Sequence, residues 1–235
     1  VTPTLIACSH GTSDEFGRAA ISASLDEVRV LLPGTRVEEA FVDVQEPAID
    51  TVLARWAPAG PVVVVPLLLS TGYHTRVDIA RAVAAHPNRA TVAPALGPHD
   101  LLAEVLESRL AALGGPGPHE AIVLAAAGST DPAAAVAVRS MADRLAERIQ
   151  LPIEVGFAAG AGPRISEAVA TARARGAKRV VLASYVLAPG YFANVIAASG
   201  GDAVTAPLAP DPRVAAIVAE RFLAASPLVR PLQLS

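Results

Sequence analysis

His10, Asp43 and His74 are the residues of this chain whose types could together hold a divalent metal ion. Two imidazoles and one carboxylate make a nitrogen and oxygen donor set that suits a first-row metal and leaves coordination positions open for a second reactant. The single thiol, Cys8, lies in an apolar run and reads as a small core hydrophobe, so no soft thiolate competes. The three residues are too far apart in sequence to form a local metal motif. They can make a site only if the fold brings the ends of separate elements together.

The elements that would do so are legible. Residues 62–69 are β-branched and aliphatic and run into Ser70, Thr71, Gly72, Tyr73 and His74, the pattern of a central parallel strand feeding a helix through a glycine turn. That places His74 at the carboxyl end of a strand, where open α/β sheets bind their ligands. Upstream, residues 4–9 read as a strand and 16–32 as a helix, with His10, Gly11, Thr12, Ser13 and Asp14 between them. Ser13 or Asp14 is placed to cap that helix, and Pro33 and Gly34 stop it. A strand over 36–44 and a helix opened by Glu46 and Pro47 and running through Trp56 follow. Beyond the central strand come a helix at 75–85, a short strand at 90–93 and a helix from His99 to Leu113. Strand and helix alternate four times, which implies a parallel sheet with right-handed crossovers. In the strand order 2-1-3-4, strands 2 and 3 flank strand 1. His10, Asp43 and His74 then leave the sheet at the same end.

After Gly114, Gly115, Pro116, Gly117 and Pro118 the pattern begins again. Residues 122–131 repeat 5–14 at a shift of 117 positions (128 minus 11), and residues 180–192 repeat 62–74 at a shift of 118 (190 minus 72). Pro163 answers Pro47. The expected organisation is therefore two domains, 1–113 and 119–235, each a doubly wound four-stranded parallel sheet with helices on both faces. The second copy keeps the glycines, the Ser/Thr-Asp turn and the tyrosine, but has Ala127 in place of His10 and Phe192 in place of His74. Both imidazoles are thus dispensable to the backbone design, which marks His10 and His74 as functional rather than structural. The expected metal site belongs to the first half alone.

Composition excludes several other classes. The chain has 235 residues, 52% of them hydrophobic, enough to bury one large core or two small ones. The net charge of −3 is spread over both signs with no basic stripe, so neither a nucleic acid nor an anionic membrane is an expected partner. No apolar run reaches the roughly 20 residues needed to span a bilayer. A lone cysteine excludes an internal disulfide and, with no signal-peptide pattern at the start, fits a reducing cytoplasm. Glu46 reads as a charge complement at a helix start, His99 as a helix-start residue, and His86 and His119 as solvated loop residues. Arg76 and Asp78 read equally as a surface pair or as an address for an acidic ligand.

Three segments carry a family resemblance. Ser9-His10-Gly11-Thr12-Ser13, then Ala40-Phe41-Val42-Asp43-Val44-Gln45-Glu46-Pro47, then residues 65–79 (VPLLLSTGYHTRVDI) together resemble the CbiX/SirB-type sirohydrochlorin chelatases, class II enzymes that insert a metal into an isobacteriochlorin. The resemblance covers both halves. It implies two flavodoxin-like domains facing across a cleft, with the second half as the opposite wall and no cofactor beyond the divalent metal substrate, iron or cobalt. Short family members supply two halves by dimerising, so this chain is similar to a fused form, a monomer with internal pseudo-two-fold symmetry and one site kept. Carried over by position, the resemblance puts metal-binding imidazoles at His10 and His74 and a carboxylate at Asp43, where the family commonly has glutamate. The tetrapyrrole substrate, sirohydrochlorin, carries many carboxylates, so backbone donors at Gly11, Thr12 and Ser13 and at Gly128, Ser129 and Thr130 of the second half, with Tyr73, Arg76 and Arg18, are expected to bind it.

Insertion would require stripping water from the ion, presenting it to one macrocycle face and removing two pyrrole N–H protons, for which an imidazole or Asp43 is a suitable base. Two other readings use the same residues. A metal or tetrapyrrole carrier would bind without turnover. A histidine phosphatase would use His10, but those enzymes have an arginine before the histidine to hold phosphate, and here the residue is Ser9.

Overall fold

A computed structural model describes residues 2–70 and 73–228, with the side chains of residues 73–76 and 228 outside that description. The first sheet is formed by β1 (Thr4–Ser9), β2 (Val37–Phe41), β3 (Val62–Pro66) and β4 (Ala90–Val92), all parallel, in the order β2-β1-β3-β4. Every residue of β3 is buried, as a β-branched strand covered on both faces requires. Alternate residues face opposite sides. Ile6, Cys8, Val62 and Val64 join Ala40 in one apolar cluster with Ile49, Val52 and Leu53 of α2 (Ile49–Trp56) and Ile79 and Ala82 of α3 (Tyr73–Ala84). The other face carries α1 (Glu15–Leu31), whose buried positions Gly17, Ala20, Ile21, Ser24, Leu25 and Val28 follow the helical period.

The second sheet is built in the same way from β5 (Glu120–Ala126), β6 (Ile153–Phe157), β7 (Arg179–Tyr185) and the two-residue β8 (Ala203–Val204), in the order β6-β5-β7-β8. Its helices are α5 (Pro132–Ile149), α6 (Ile165–Ala174) and α7 (Tyr191–Ala197). Val123, Ala125, Val180 and Leu182 cluster with Ile165, Ala168, Val169 and Ala172 of α6 and Ile196 of α7. The expected pair of four-stranded parallel α/β sheets is therefore present.

The last helix of each repeat departs from the division at 113–119 that the sequence predicts. By contact, one compact unit comprises Val1–Leu96 with Pro212–Ser235, and the other Gly97–Asp211. Helix α4 (Asp100–Ala111), which closes the first repeat, packs in the second unit against α5 and β7. Buried Leu102, Val105, Leu106 and Leu110 carry that packing, and exposed ion pairs flank it, Arg144 with Asp100 and Arg148 with Glu107 at 2.7 Å. Helix α8 (Pro212–Ala225) packs in the first unit on α1 and β3, burying Val214, Ile217, Val218 and Phe222, and Arg221 Nε donates to Ala95 C=O at 3.1 Å. Each helix thus completes a sheet other than the one its repeat would assign it.

The start of α2 also differs from expectation. The helix begins at Ile49, not at Glu46 and Pro47. Phe41 N–H donates to Pro47 C=O at 3.1 Å and Ala48 bridges Phe41, so residues 47 and 48 lie extended beside the end of β2 and cannot be helical. The second repeat does the same, with Phe157 N–H on Pro163 C=O at 2.9 Å and Arg164 bridging Phe157. Pro163 thus answers Pro47 in geometry as well as in sequence.

Candidate metal centre

His10 is the first residue beyond β1, and it is exposed. Asp43 lies two residues beyond β2 and is exposed as well. The two loops are stitched together where the strands end. Val42 N–H donates to Ser9 C=O at 3.0 Å, Asp43 N–H to His10 C=O at 3.1 Å, and Thr12 N–H to Gln45 Oε1 at 2.8 Å. Gly11, at φ +94°, fits against this seam so closely that a Cβ there would sit 2.4 Å from Asp43 C=O. The imidazole and the carboxylate are therefore carried by one rigid double loop.

Within the double loop several polar groups serve its shape. Thr12 Oγ1 accepts Asp14 N–H at 3.1 Å, and Asp14 caps α1 by accepting Gly17 N–H at 2.8 Å. Of the two capping candidates in the sequence, Asp14 is the one used. Asp43 Oδ1 accepts the N–H of Val44, which stands at φ 59° in the tip of the turn. Glu46 Oε2 accepts Ala48 N–H at 2.7 Å just before α2, in keeping with the helix-start role read from sequence. His99 likewise stands at the N-cap of α4, its Nδ1 accepting Leu101 N–H at 3.1 Å.

His74 is the second residue of α3, and β3, which leads toward it, lies beside β1 with Cys8 paired to Pro66 and Leu67 N–H donating to Cys8 C=O at 2.8 Å. The connections leaving β1 and β3 thus emerge side by side. The side chains of Tyr73, His74 and Arg76, and the whole of Thr71 and Gly72, lie outside the described residues. Among the described residues no group of three His, Cys, Asp or Glu side chains gathers to hold a metal. Cys8 belongs to the core, and burial pushes its thiol up to about 12, so it offers no thiolate to a metal.

Comparison of the two loops exposes a third loss that sequence matching missed. In the second unit Ala158 N–H donates to Ala126 C=O and Ala159 N–H to Ala127 C=O, both at 2.9 Å. Ala127 is the counterpart of His10, so Ala159 is the counterpart of Asp43. Ser129 and Asp131 repeat the bonds of Thr12 and Asp14, with Asp131 N–H on Ser129 Oγ at 3.0 Å and Ala133 N–H on Asp131 Oδ1 at 2.9 Å. Gly128 fits its seam as Gly11 does, and Gly160, at φ +75°, occupies the place of Val44. The second unit keeps the backbone seam of the double loop, with Ala161 in the place of Gln45, and lacks every candidate ligand. The signals in the sequence were the match of Phe41 to Phe157, which counts forward two residues to each position, and that of Pro47 to Pro163, which counts back four.

Two parallel α/β sheets in tandem, one with an imidazole and a carboxylate on a shared double loop at its strand ends and one with the same loop emptied of ligands, define a two-repeat protein of the chelatase-like fold. The chain belongs to the CbiX family, whose model matches residues 4–113 and 121–225. It is 25% identical over 195 residues to a sirohydrochlorin ferrochelatase of Bacillus subtilis (strain 168), covering 80% of this chain and 75% of that protein. Against a sirohydrochlorin cobaltochelatase of Priestia megaterium it is 30% identical over 169 residues, 66% of this chain and 54% of that longer protein. The structure of SirB from Bacillus subtilis with Fe3+ has the same fold at a TM-score of 0.82 and 21% identity, covering 96% of each chain.

Proposed function

We propose that this protein inserts a divalent metal, iron or cobalt, into sirohydrochlorin, with His10, Asp43 and His74 of the first unit as metal-handling residues. The observation that carries the reading is the contrast between the two double loops: the two backbone hydrogen bonds that join the strand ends recur in both, and His10 and Asp43 are replaced by Ala127 and Ala159 in one. The family membership and the two curated relatives supply the substrate class.

In this reading the ion enters as substrate, held by neutral imidazoles and by Asp43 Oδ2, since Oδ1 already accepts the Val44 N–H. Two nitrogens and one oxygen hold a first-row ion while leaving positions for water and then for pyrrole nitrogens. As each pyrrole nitrogen takes the metal its N–H proton leaves, two in all. These protons pass to an imidazole as it releases the ion, or to Asp43. The loop residues Gly11 and Ser13, with Tyr73, Arg76 and Arg18, address the substrate carboxylates, and Gly128, Ser129 and Thr130 do so from the second unit. Thr12 serves the loop more than the ligand, since its N–H and hydroxyl are both engaged there.

The test is anaerobic metallation of sirohydrochlorin, followed by absorbance, with Fe2+, Co2+ and Ni2+ in turn. Wild type turns over many equivalents, and a His10→Ala, His74→Ala double variant loses at least a hundredfold in rate. Full activity in the double variant refutes the site. Stoichiometric binding with no release of metallated product would instead identify a carrier.

A further inference from the structure

Resting on the function just proposed, we infer that the emptied loop of the second unit is a binding surface for the tetrapyrrole itself, with Tyr191 stacking on the macrocycle and Arg164 pairing with a substrate carboxylate. The residues around the two loops differ in one chemical direction. At the ends of β1 and β2 stand His10, Asp43, Glu46 and Ala48, a set rich in donors to a cation. At the ends of β5 and β6 the corresponding positions hold Ala127, Ala159, an apolar stretch and Arg164, which bridges Phe157 as Ala48 bridges Phe41. The metal ligands are gone, and an exposed guanidinium has appeared where the first unit has a methyl group. That change disfavours a cation and favours a carboxylate.

Tyr191 supplies the second observation. It opens α7 at the carboxyl end of β7, in the place that Tyr73 holds in the first repeat, and it is 75% exposed. An exposed tyrosine that persists in a copy stripped of its histidines is not kept for packing. The packing is done by Phe192, the residue in the place of His74, which lies against the same apolar cluster as Ala127 and Ala158. Phe192 also braces Tyr191, with ring centroids 5.3 Å apart and planes inclined at 72°. The side chain that replaces the imidazole thus anchors an aromatic platform. Arg164 is held in turn, its Nη1 donating to Ala158 C=O at 3.2 Å. A braced, exposed ring and a fixed cation at one end of one sheet match a flat macrocycle edged with carboxylates.

The experiment is equilibrium binding of metal-free sirohydrochlorin to the full chain, read by absorbance shift, beside metal binding in the absence of tetrapyrrole. Tyr191→Ala is expected to weaken tetrapyrrole binding about tenfold, within the range that loss of one aromatic stacking partner gives. Tyr191→Phe should bind as wild type does. Arg164→Gln should weaken binding and flatten its salt dependence, and Arg164→Lys should restore part of both. In steady state the KM for sirohydrochlorin rises in Tyr191→Ala while kcat at saturation and the affinity for metal alone stay unchanged. Tetrapyrrole binding within twofold of wild type in both Tyr191→Ala and Arg164→Gln overturns the assignment. Absence of sirohydrochlorin binding by the wild-type protein overturns the proposed function on which it rests.

Discussion

Asp43 and His10 occupy exposed loop positions whose counterparts are alanines, so their side chains are free to be chosen for chemistry. Substitutions there should leave folding almost untouched. Asp43→Asn, which keeps an oxygen for the Val44 N–H, is expected within about 0.5 kcal/mol of the parent in denaturant titrations, and Asp43→Ala, which loses that bond, about 0.5–1.5 kcal/mol below it. Metallation should fall at least tenfold in both, while Asp43→Glu retains it, because glutamate restores a carboxylate one methylene further out. An active Asp43→Asn variant would show that the negative charge is not needed. Cys8 is two residues from His10 and chemically remote from it. With its thiol pushed up to about 12 by burial, it should resist a disulfide-exchange reagent at pH 8 in the native protein and react once in denaturant. Labelling of the native protein at the unfolded rate would contradict that burial.

The element on which the site depends is the double loop, and its tolerance is set by glycine. Gly11→Ala would place a methyl 2.4 Å from Asp43 C=O in a backbone at φ +94°. The left-handed conformation alone costs about 1–2 kcal/mol for an L side chain. The clash adds to it, because the neighbour is backbone, so we expect Gly11→Ala to lose roughly 2–4 kcal/mol and its metal affinity together. Gly34→Ala is the control: φ is +81°, but nothing lies within 4 Å of the added methyl, so only the conformational cost applies. Equal losses in the two variants, by thermal or denaturant unfolding, would mean that the seam between the loops is looser than the structure shows. Much of this element was visible in the sequence, since the glycines and the Ser/Thr-Asp turn recur in both copies. The extended path of Pro47 and Ala48 was not visible there. It depends on a hydrogen bond from Phe41 to the Pro47 carbonyl, and proline after glutamate also suits a helix start.

For the whole molecule, the two units should answer acid differently. In the second unit Asp202 is held below the ordinary carboxylate range by the Val180 N–H and Arg173, and Glu120 by Arg179 and the Gly117 N–H. Carboxylates with lowered folded values stabilise above their unfolded values, and that contribution is lost as pH falls through the folded ones. Glu39 in the first unit is shifted the other way by burial, so its contribution is present in acid and lost as pH rises through its folded value. Asp202→Asn should therefore be less stable than the parent at pH 7, and the difference should shrink as the pH falls below the ordinary carboxylate range. In hydrogen exchange the loss should lie in β7 and β8. A destabilisation that persists unchanged in acid would assign Asp202 a packing role instead.

The sequence by itself determined the alternation of strands and helices, the duplication and the identity of the residues that distinguish the copies. These follow from periodicities of two and 3.6, from turn residues and from internal comparison, all of which are local or repeat along the chain. Tertiary structure alone decided that α4 and α8 complete each other's sheets, because two amphipathic helices of similar length and pattern carry no record of which sheet they will cover. It confirmed too that Ala159 answers Asp43, which the matches of Phe41 to Phe157 and Pro47 to Pro163 only hint at, by which carbonyl each N–H reaches across neighbouring strands. The exposure of Tyr191 was likewise hidden, as a tyrosine beside a glycine turn reads the same whether its ring is packed or presented to a ligand.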